Sequence, residues 1–319
     1  MVLNFEHIVD NQQLIDFCKR QAKCEYVAFD TEFVSENRYR PQLCLVQVAT
    51  SQSLAIIDTL TITDMRPFWD LICNQVPLTI THAAREEFLF CYREMKTRPA
   101  KLIDLQMIAA FVGLEFPAAY SSLANQLLGE RLSKGETRTD WRQRPLSKKQ
   151  IQYALQDVEF LFPMYEVLNQ RLVELGREAW YVEEIDFWQR RMEEIESEPQ
   201  WQRLPGLSKL SRRELSIVRE LYLWRETAAQ NRERSPRRIL PDDLLIEIAK
   251  RGEFQTTKLT AIRGLTQRVS ARCIPEIAEV VEKTLHLPES KLPEKIASSP
   301  SPSIGILGQF LTTSLNLVC

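Results

Sequence analysis

Glycine is scarce, with nine in 319 residues. No glycine-rich turn follows any strand-like run, which argues against dinucleotide and P-loop folds. The seven cysteines (Cys18, Cys24, Cys44, Cys73, Cys91, Cys273 and Cys319) include no C-x-x-C pair. Neither a disulfide framework nor a zinc knuckle is implied, and a reducing interior is expected. No run reaches the ~18 apolar residues that a membrane span needs. The opening residues, Met1 to His7, lack the basic and apolar regions of a signal peptide. A cytosolic protein without a membrane partner is expected.

What is present is an ordinary globular composition, 44% hydrophobic and 26% charged, long enough for two domains. The net charge of −2 hides an asymmetry. Residues 1–200 hold 22 Lys/Arg against 30 Asp/Glu, a net of −8, and residues 201–319 hold 19 against 13, a net of +6. An acidic half followed by a basic half suits a metal-holding domain joined to a nucleic-acid grip.

Residues 25–33, 42–50 and 53–58 read as three adjoining strands, rich in β-branched and aromatic types. The short apolar runs 78–81 and 101–104 each precede a helical pattern, which predicts a mixed sheet flanked by helices. Ser147 to Gln150 has the spacing of a capping box, so a helix is expected from there, with Ile151, Ala154, Leu155, Val158, Leu161 and Phe162 inward. Pro163 is expected to kink it. A charged helical stretch from about 166 to 198 runs to a break at Pro199 and Pro205–Gly206. A second capping box, Ser211 to Glu214, opens a helix through about Gln230. The turn Ser235 to Arg238 precedes a helix starting at Asp242 or Asp243, and shorter helices are expected near 257–263 and 270–285. A helical bundle accounts for this half. The organisation expected is a domain over 1–200, a helical domain over 207–287, and a linker with an apolar tail over 288–319. The tail, 304–318, is too short to span a membrane; it either docks on the bundle or opens a further domain.

Asp30 and Glu32 close an apolar strand, and residues i and i+2 share a strand face. Tyr153 and Asp157 share a helix stripe. Such acids are costly to bring together without a cation, and divalent ions with oxygen ligands are the usual answer. Two ions about 3.5–4 Å apart would serve phosphodiester hydrolysis, activating water and offsetting charge on both reacting oxygens. Tyr153 would orient the water or take its proton. Either Glu86 or Glu87, opening a helix after the run 78–81, could supply the fourth ligand. His82 has no second histidine nearby, which favours a structural imidazole over a ligand.

Phe29 to Phe33 running on to Tyr39-Arg40-Pro41-Gln42-Leu43, then His82-Ala83 with the following acids, then Asp140-Trp141, Arg144-Pro145-Leu146 and Tyr153 through Asp157, together resemble the ribonuclease D family. That family is the tyrosine-bearing branch of the 3′→5′ exonucleases named for their D-E-D-D carboxylates. The resemblance covers about residues 3–200. It implies an α/β fold, a ribonuclease H-like mixed sheet flanked by helices, followed by a small all-α bundle. It gives Asp30, Glu32, Glu87 and Asp157 as metal ligands and Tyr153 as the catalytic tyrosine. Where the family usually has aspartate, this chain has Glu87, whose extra methylene moves the carboxylate by roughly a bond length; positioning errors of about 1 Å can cost ~100-fold in rate.

Residues 207–285 resemble the helical domain shared by RecQ-type helicases and the C-terminal part of ribonuclease D. Residues 203–272 hold 16 basic against 8 acidic side chains, and Arg232, Arg234, Arg237 and Arg238 crowd one turn. These arginines are expected to contact phosphates, and Phe33 to stack on a terminal base or to pack in the core. The chain ends too early for the second helical domain that bacterial relatives often carry.

The resemblance therefore implies a 3′→5′ exoribonuclease with two Mg²⁺ or Mn²⁺ ions, acting on RNA with a single-stranded 3′ end, transfer-RNA precursors among them, and needing no obligate protein partner. Two other readings remain at this stage: a DNA 3′→5′ exonuclease, and a non-catalytic RNA-binding protein with a decayed second motif.

Overall fold

The structure is a computed structural model, and it describes residues 4–132, 139–296 and the positions 308, 311 and 312. It divides into two units: residues 1–34 with 42–197, and residues 35–41 with 198–319.

Among the described residues, six strands form the sheet of the first unit: β1 (Glu6–Ile8), β2 (Val27–Val34), β3 (Gln42–Thr50), β4 (Leu54–Ile57), β5 (Thr79–Thr81) and β6 (Leu102–Asp104). Their spatial order is β1-β4-β3-β2-β5-β6. β2, β3 and β4 pair antiparallel, while β1 joins β4, β5 joins β2 and β6 joins β5 in parallel. This is the expected mixed sheet. The three-residue β1 gave no signal, since its burial comes from pairing rather than from its own pattern.

Among the described residues, eight α-helices accompany the sheet: α1 (Asn11–Gln21), α2 (Arg66–Asp70), α3 (Arg85–Met95), α4 (Leu105–Phe111), α5 (Tyr120–Leu128), α6 (Lys148–Glu159), α7 (Leu161–Glu174) and α8 (Glu178–Ser197). α6 opens with both reciprocal bonds of the capping box, Ser147 with Gln150. Pro163 does not kink a continuous helix as expected. The backbone leaves α6 at Phe160 (φ −102°, ψ 0°), and Pro163 sits in the first turn of α7, where no N–H partner is needed. The expected helix from 166 to 198 is likewise two, because Gly176 takes φ +63° and ends the run.

Arg144 fixes the segment leading into α6. Its guanidinium grips the buried carboxylate of Asp58 at 2.5 and 2.7 Å and donates to the carbonyls of Trp141 and Cys44. Arg144→Ala leaves that carboxylate buried without its partner, a loss of about 3 kcal/mol. Lysine should rescue little, lacking the two-pronged fork. Urea unfolding tests this; an unchanged midpoint would show the pair to be dispensable.

In the second unit α9 (Arg212–Asn231), α10 (Pro236–Ile239), α11 (Asp242–Arg251), α12 (Thr256–Thr260), α13 (Leu265–Arg268) and α14 (Cys273–Leu285) enclose one apolar core, with Leu221, Leu245, Ile248, Leu265 and Ile277 fully buried. The turn expected at 235–238 is the short helix α10, with Pro236 at its first position, where proline is favoured. Arg225 lies buried in this unit, paired with Asp242 at 2.6 Å and stacked over Tyr222. The apolar tail falls almost wholly outside the described residues. No helix among the described residues is long and apolar enough to cross a membrane.

Candidate active site

The alternation of β2 sets the site. Ala28, Asp30 and Glu32 project from one sheet face, Phe29, Thr31 and Phe33 from the other. β3 runs antiparallel beside β2, and its pairing slips by one residue between Glu32 and Phe33. Such a bulge re-aims side chains at the end of a strand. Ala154, Leu155 and Val158 bury one stripe of α6, which turns Asp157 toward the acids of β2.

Carboxylate oxygens of Asp30, Glu32 and Asp157 all lie within 4.8 Å of one another. The hydroxyl of Tyr153, one turn before Asp157, donates to the Asp157 carboxylate. Its ring leans on the buried indole of Trp141, centroids 6.1 Å apart.

Glu87 is placed differently. It is buried in the first turn of α3, and Thr31 donates its hydroxyl to it at 2.5 Å. It lies outside the close triad, yet near enough that its charge raises the pKa of Glu32, while that of Asp30 raises its own. Glu86, the other candidate, is ion-paired with Arg85 at the surface. His82 stands apart from the acids: its Nε2 bonds the Ala118 carbonyl, and burial lowers its pKa. Phe33 packs edge-on to Phe90 at 5.8 Å and stays half-buried.

Several further residues shape the site without a local sequence pattern that marks them. Gln47, fully buried on β3, directly faces Asp30 and points its amide at that carboxylate from 3.5 Å. A lone glutamine inside the apolar run 43–49 was the available clue. Asp104 accepts the N–H groups of Ala83 and Ala84 at 2.9 and 3.1 Å, which holds Ala83 at φ +58° and fixes the start of α3. Tyr120 donates to the carbonyl of Gln156, next to Asp157, at 2.7 Å. Those contacts are long-range in sequence, so periodicity could not reveal them.

The electrostatics test whether a cation belongs here. Burial, then the charge of Asp157, pushes the Asp30 carboxyl well above the usual range. Burial together with Asp30, Asp157 and Glu87 lifts Glu32 to about 9. Burial and Asp30 lift Glu87 to about 8, and burial lifts Asp157 to about 7 against the Tyr153 bond. No Lys, Arg or His among the described residues pairs with any of the four. An all-oxygen set that repels itself and lacks a basic partner fits a hard divalent ion.

A pH dependence follows. Without metal, the native state holds protons that the unfolded chain would release, because the native pKa values lie above ordinary carboxylate values. Stability should therefore fall as pH rises from about 4 to about 9. A divalent ion displaces those protons, so its stabilisation should grow over the same range. Melting curves in chelator and in Mg²⁺ check this. A melting temperature in chelator that climbs through the window contradicts it.

Arg232 bonds Glu276 at 2.7 Å, and Arg237 bonds Asp242 at 3.0 Å. Arg234 and Arg238 are exposed and make no ion pair among the described residues.

Residues 5–173 match the family model described as 3′-5′ exonuclease, and residues 214–281 match the HRDC domain. Fold and site thus define a 3′–5′ exonuclease joined to an HRDC domain. Among curated relatives, the ribonuclease D of Haemophilus influenzae is 32% identical over 296 residues, covering 92% of this chain and 74% of that one. The ribonuclease D of Sphingobium indicum is 36% identical over 262 residues, covering 81% and 67%. The crystal structure of Escherichia coli RNase D, described as an exoribonuclease involved in structured RNA processing, superposes with a TM-score of 0.90 at 27% identity, covering 99% of this chain and 84% of that one. The chain belongs to the ribonuclease D family.

Proposed function

We propose that this chain trims single-stranded 3′ ends of structured RNAs in the cytosol, transfer-RNA precursors among them, and that Asp30, Glu32, Glu87 and Asp157 hold two Mg²⁺ or Mn²⁺ ions. Its family makes it a hydrolytic 3′→5′ exoribonuclease dependent on divalent metal. The observation that carries the site assignment is the convergence of three carboxylates from β2 and α6 within 4.8 Å.

Bound metal would supply Lewis-acid charge beside the phosphate and a water of lowered pKa. Asp30, Glu32 and Asp157 would ligate directly. Glu87, anchored by Thr31, would close the set from the side. The anchor is the natural answer to its extra methylene, because it fixes where the longer side chain ends. Tyr153, already bonded to Asp157, would hold the attacking water by its phenol oxygen. Gln47 keeps the Asp30 carboxylate turned toward the site. Phe33, half-exposed beyond Glu32, would bear on the terminal base. Arg232, Arg234, Arg237 and Arg238 would meet phosphates, which position RNA without reading its sequence.

The purified chain with a 3′-extended transfer RNA tests this directly. Nucleoside 5′-monophosphates should appear one at a time with Mg²⁺ or Mn²⁺ and not with chelator. Binding without any release would leave a non-catalytic RNA-binding protein, and equal release from a matched DNA strand would remove the RNA preference.

A further inference from the structure

Cys73 and Cys91 bring their sulfurs to 3.2 Å, a contact between residues 18 apart in sequence. Both lie in the apolar cluster that also holds Phe29, Trp69 and Phe90. The elements that carry them differ in kind. α2 runs directly into a π-helical turn, Leu71–Gln75, on which Cys73 sits. Such wide turns are rare and concentrate at functional positions. Asp70 holds this one, accepting the side-chain amides of Asn74 and Gln75 at 2.8 and 2.5 Å. Cys91 stands on α3, one turn after Glu87 and on the same stripe. Of the other described cysteines, Cys24, Cys44 and Cys273 bond different groups.

The two thiols are not equivalent. Cys91 is fully buried, whereas Cys73 keeps 6% of its surface exposed. The hydrogen bond with Cys91 draws the Cys73 thiol below its ordinary pKa, while the same contact, followed by burial, pushes Cys91 up. The sulfur that a small oxidant can reach is thus the better thiolate, and the enclosed one stands behind it with its proton. A reachable thiolate poised beside a second, resolving thiol is the arrangement of a redox-sensing pair. In reducing compartments disulfides of this kind form transiently.

We propose that Cys73 and Cys91 form an oxidation site that closes to a disulfide by reducing a hydroperoxide, displacing Glu87 and slowing the enzyme reversibly. The Cys73 thiolate attacks one peroxide oxygen; the O–O bond breaks, and the leaving oxygen takes a proton as water or alcohol. The Cys91 sulfur then attacks the resulting Cys73 sulfenic acid, giving up its proton as the S–O bond breaks and water leaves. Two thiols lose two electrons in all, and one hydroperoxide gains them. Bond formation requires the sulfurs, now at 3.2 Å, to approach by about 1 Å more. A close-packed interior transmits such a shift, and Glu87, held by Thr31, is one turn away on the same helix. The effect on turnover rests on the reading of Glu87 as a metal ligand; the bond itself does not.

The test treats the full chain, metal-free in chelator, with a slight excess of hydrogen peroxide, then removes both. Digestion without reductant and mass spectrometry should find two peptides joined through Cys73 and Cys91. Free thiols counted in denaturant should fall from seven to five. Hydrolysis of a 3′-extended RNA after Mg²⁺ is added should drop at least ~10-fold, since errors of about 1 Å can cost ~100-fold. A dithiol reductant should restore it. Mn²⁺ uptake, followed by calorimetry, should weaken in the same samples. The Cys73→Ala/Cys91→Ala chain should turn over like the untreated parent and not respond to peroxide. Absence of the joined peptides overturns the proposal, as does a joined pair with unchanged turnover and Mn²⁺ uptake. Oxidation of Cys73 that never passes to Cys91 overturns it too. Should the untreated chain hydrolyse nothing, the nuclease reading fails, while the joined peptides and the change in Mn²⁺ uptake still decide this proposal.

Discussion

Asp30→Asn should abolish turnover while RNA binding persists. The substitution keeps the shape of the side chain and removes one charge from the tightest part of the site, where Asp30, Glu32 and Asp157 crowd within 4.8 Å. Mutating a group that only supports a metal ligand typically costs 10–100-fold. If Asp30 is a ligand shared by the whole cluster, as proposed, its loss should exceed that, so a fall of more than ~100-fold in kcat is expected. The same change should relieve repulsion in the metal-free protein, because the charge of Asp30 raises both Glu32 and Glu87. The variant should therefore be as stable as the parent in chelator, or more so. A variant that turns over normally, or one that unfolds, would place Asp30 in the architecture rather than in the chemistry.

Tyr153→Phe separates positioning from packing. Its ring rests against Trp141 and its hydroxyl bonds Asp157, so phenylalanine keeps the packing and removes only the polar contact. Positioned acid–base groups contribute about 10²–10⁴-fold. A loss of that size in kcat, with RNA affinity within about twofold, is expected from single-turnover and binding measurements. Equal losses in both would mean that the tyrosine serves to pack.

The strand and helix periods explain which parts of the site were legible. Alternation alone put Asp30 and Glu32 on one face, and helical spacing put Tyr153 beside Asp157, because both are local properties of the backbone. Glu87 was legible as an acid in a first turn, but its attachment to Thr31 was not. That contact joins residues 56 apart and depends on how α3 lies along β2. Gln47 and the pairing of the motif residue Arg144 with Asp58 escaped for the same reason: each acts across strands or loops that only the fold makes adjacent. The breaks at Phe160 and Gly176 differ from the expected continuous helices for a different reason. A proline in a first turn and a glycine at a helix end leave the apolar stripe running on, so the stripe hides the interruption. In the second unit the sequence count of arginines said nothing of their partners; Glu276 and Asp242 take two of them.

Direct titration of the protein with Mn²⁺ tests the central claim, that acids from β2, α3 and α6 act together on divalent ions. Calorimetry at about pH 8 should give two ions per chain, with protons released on binding because the metal-free acids hold them. In Asp30→Asn and in Asp157→Asn that uptake should be lost or reduced to one weak ion. Undiminished stoichiometry and affinity in both variants would contradict the account.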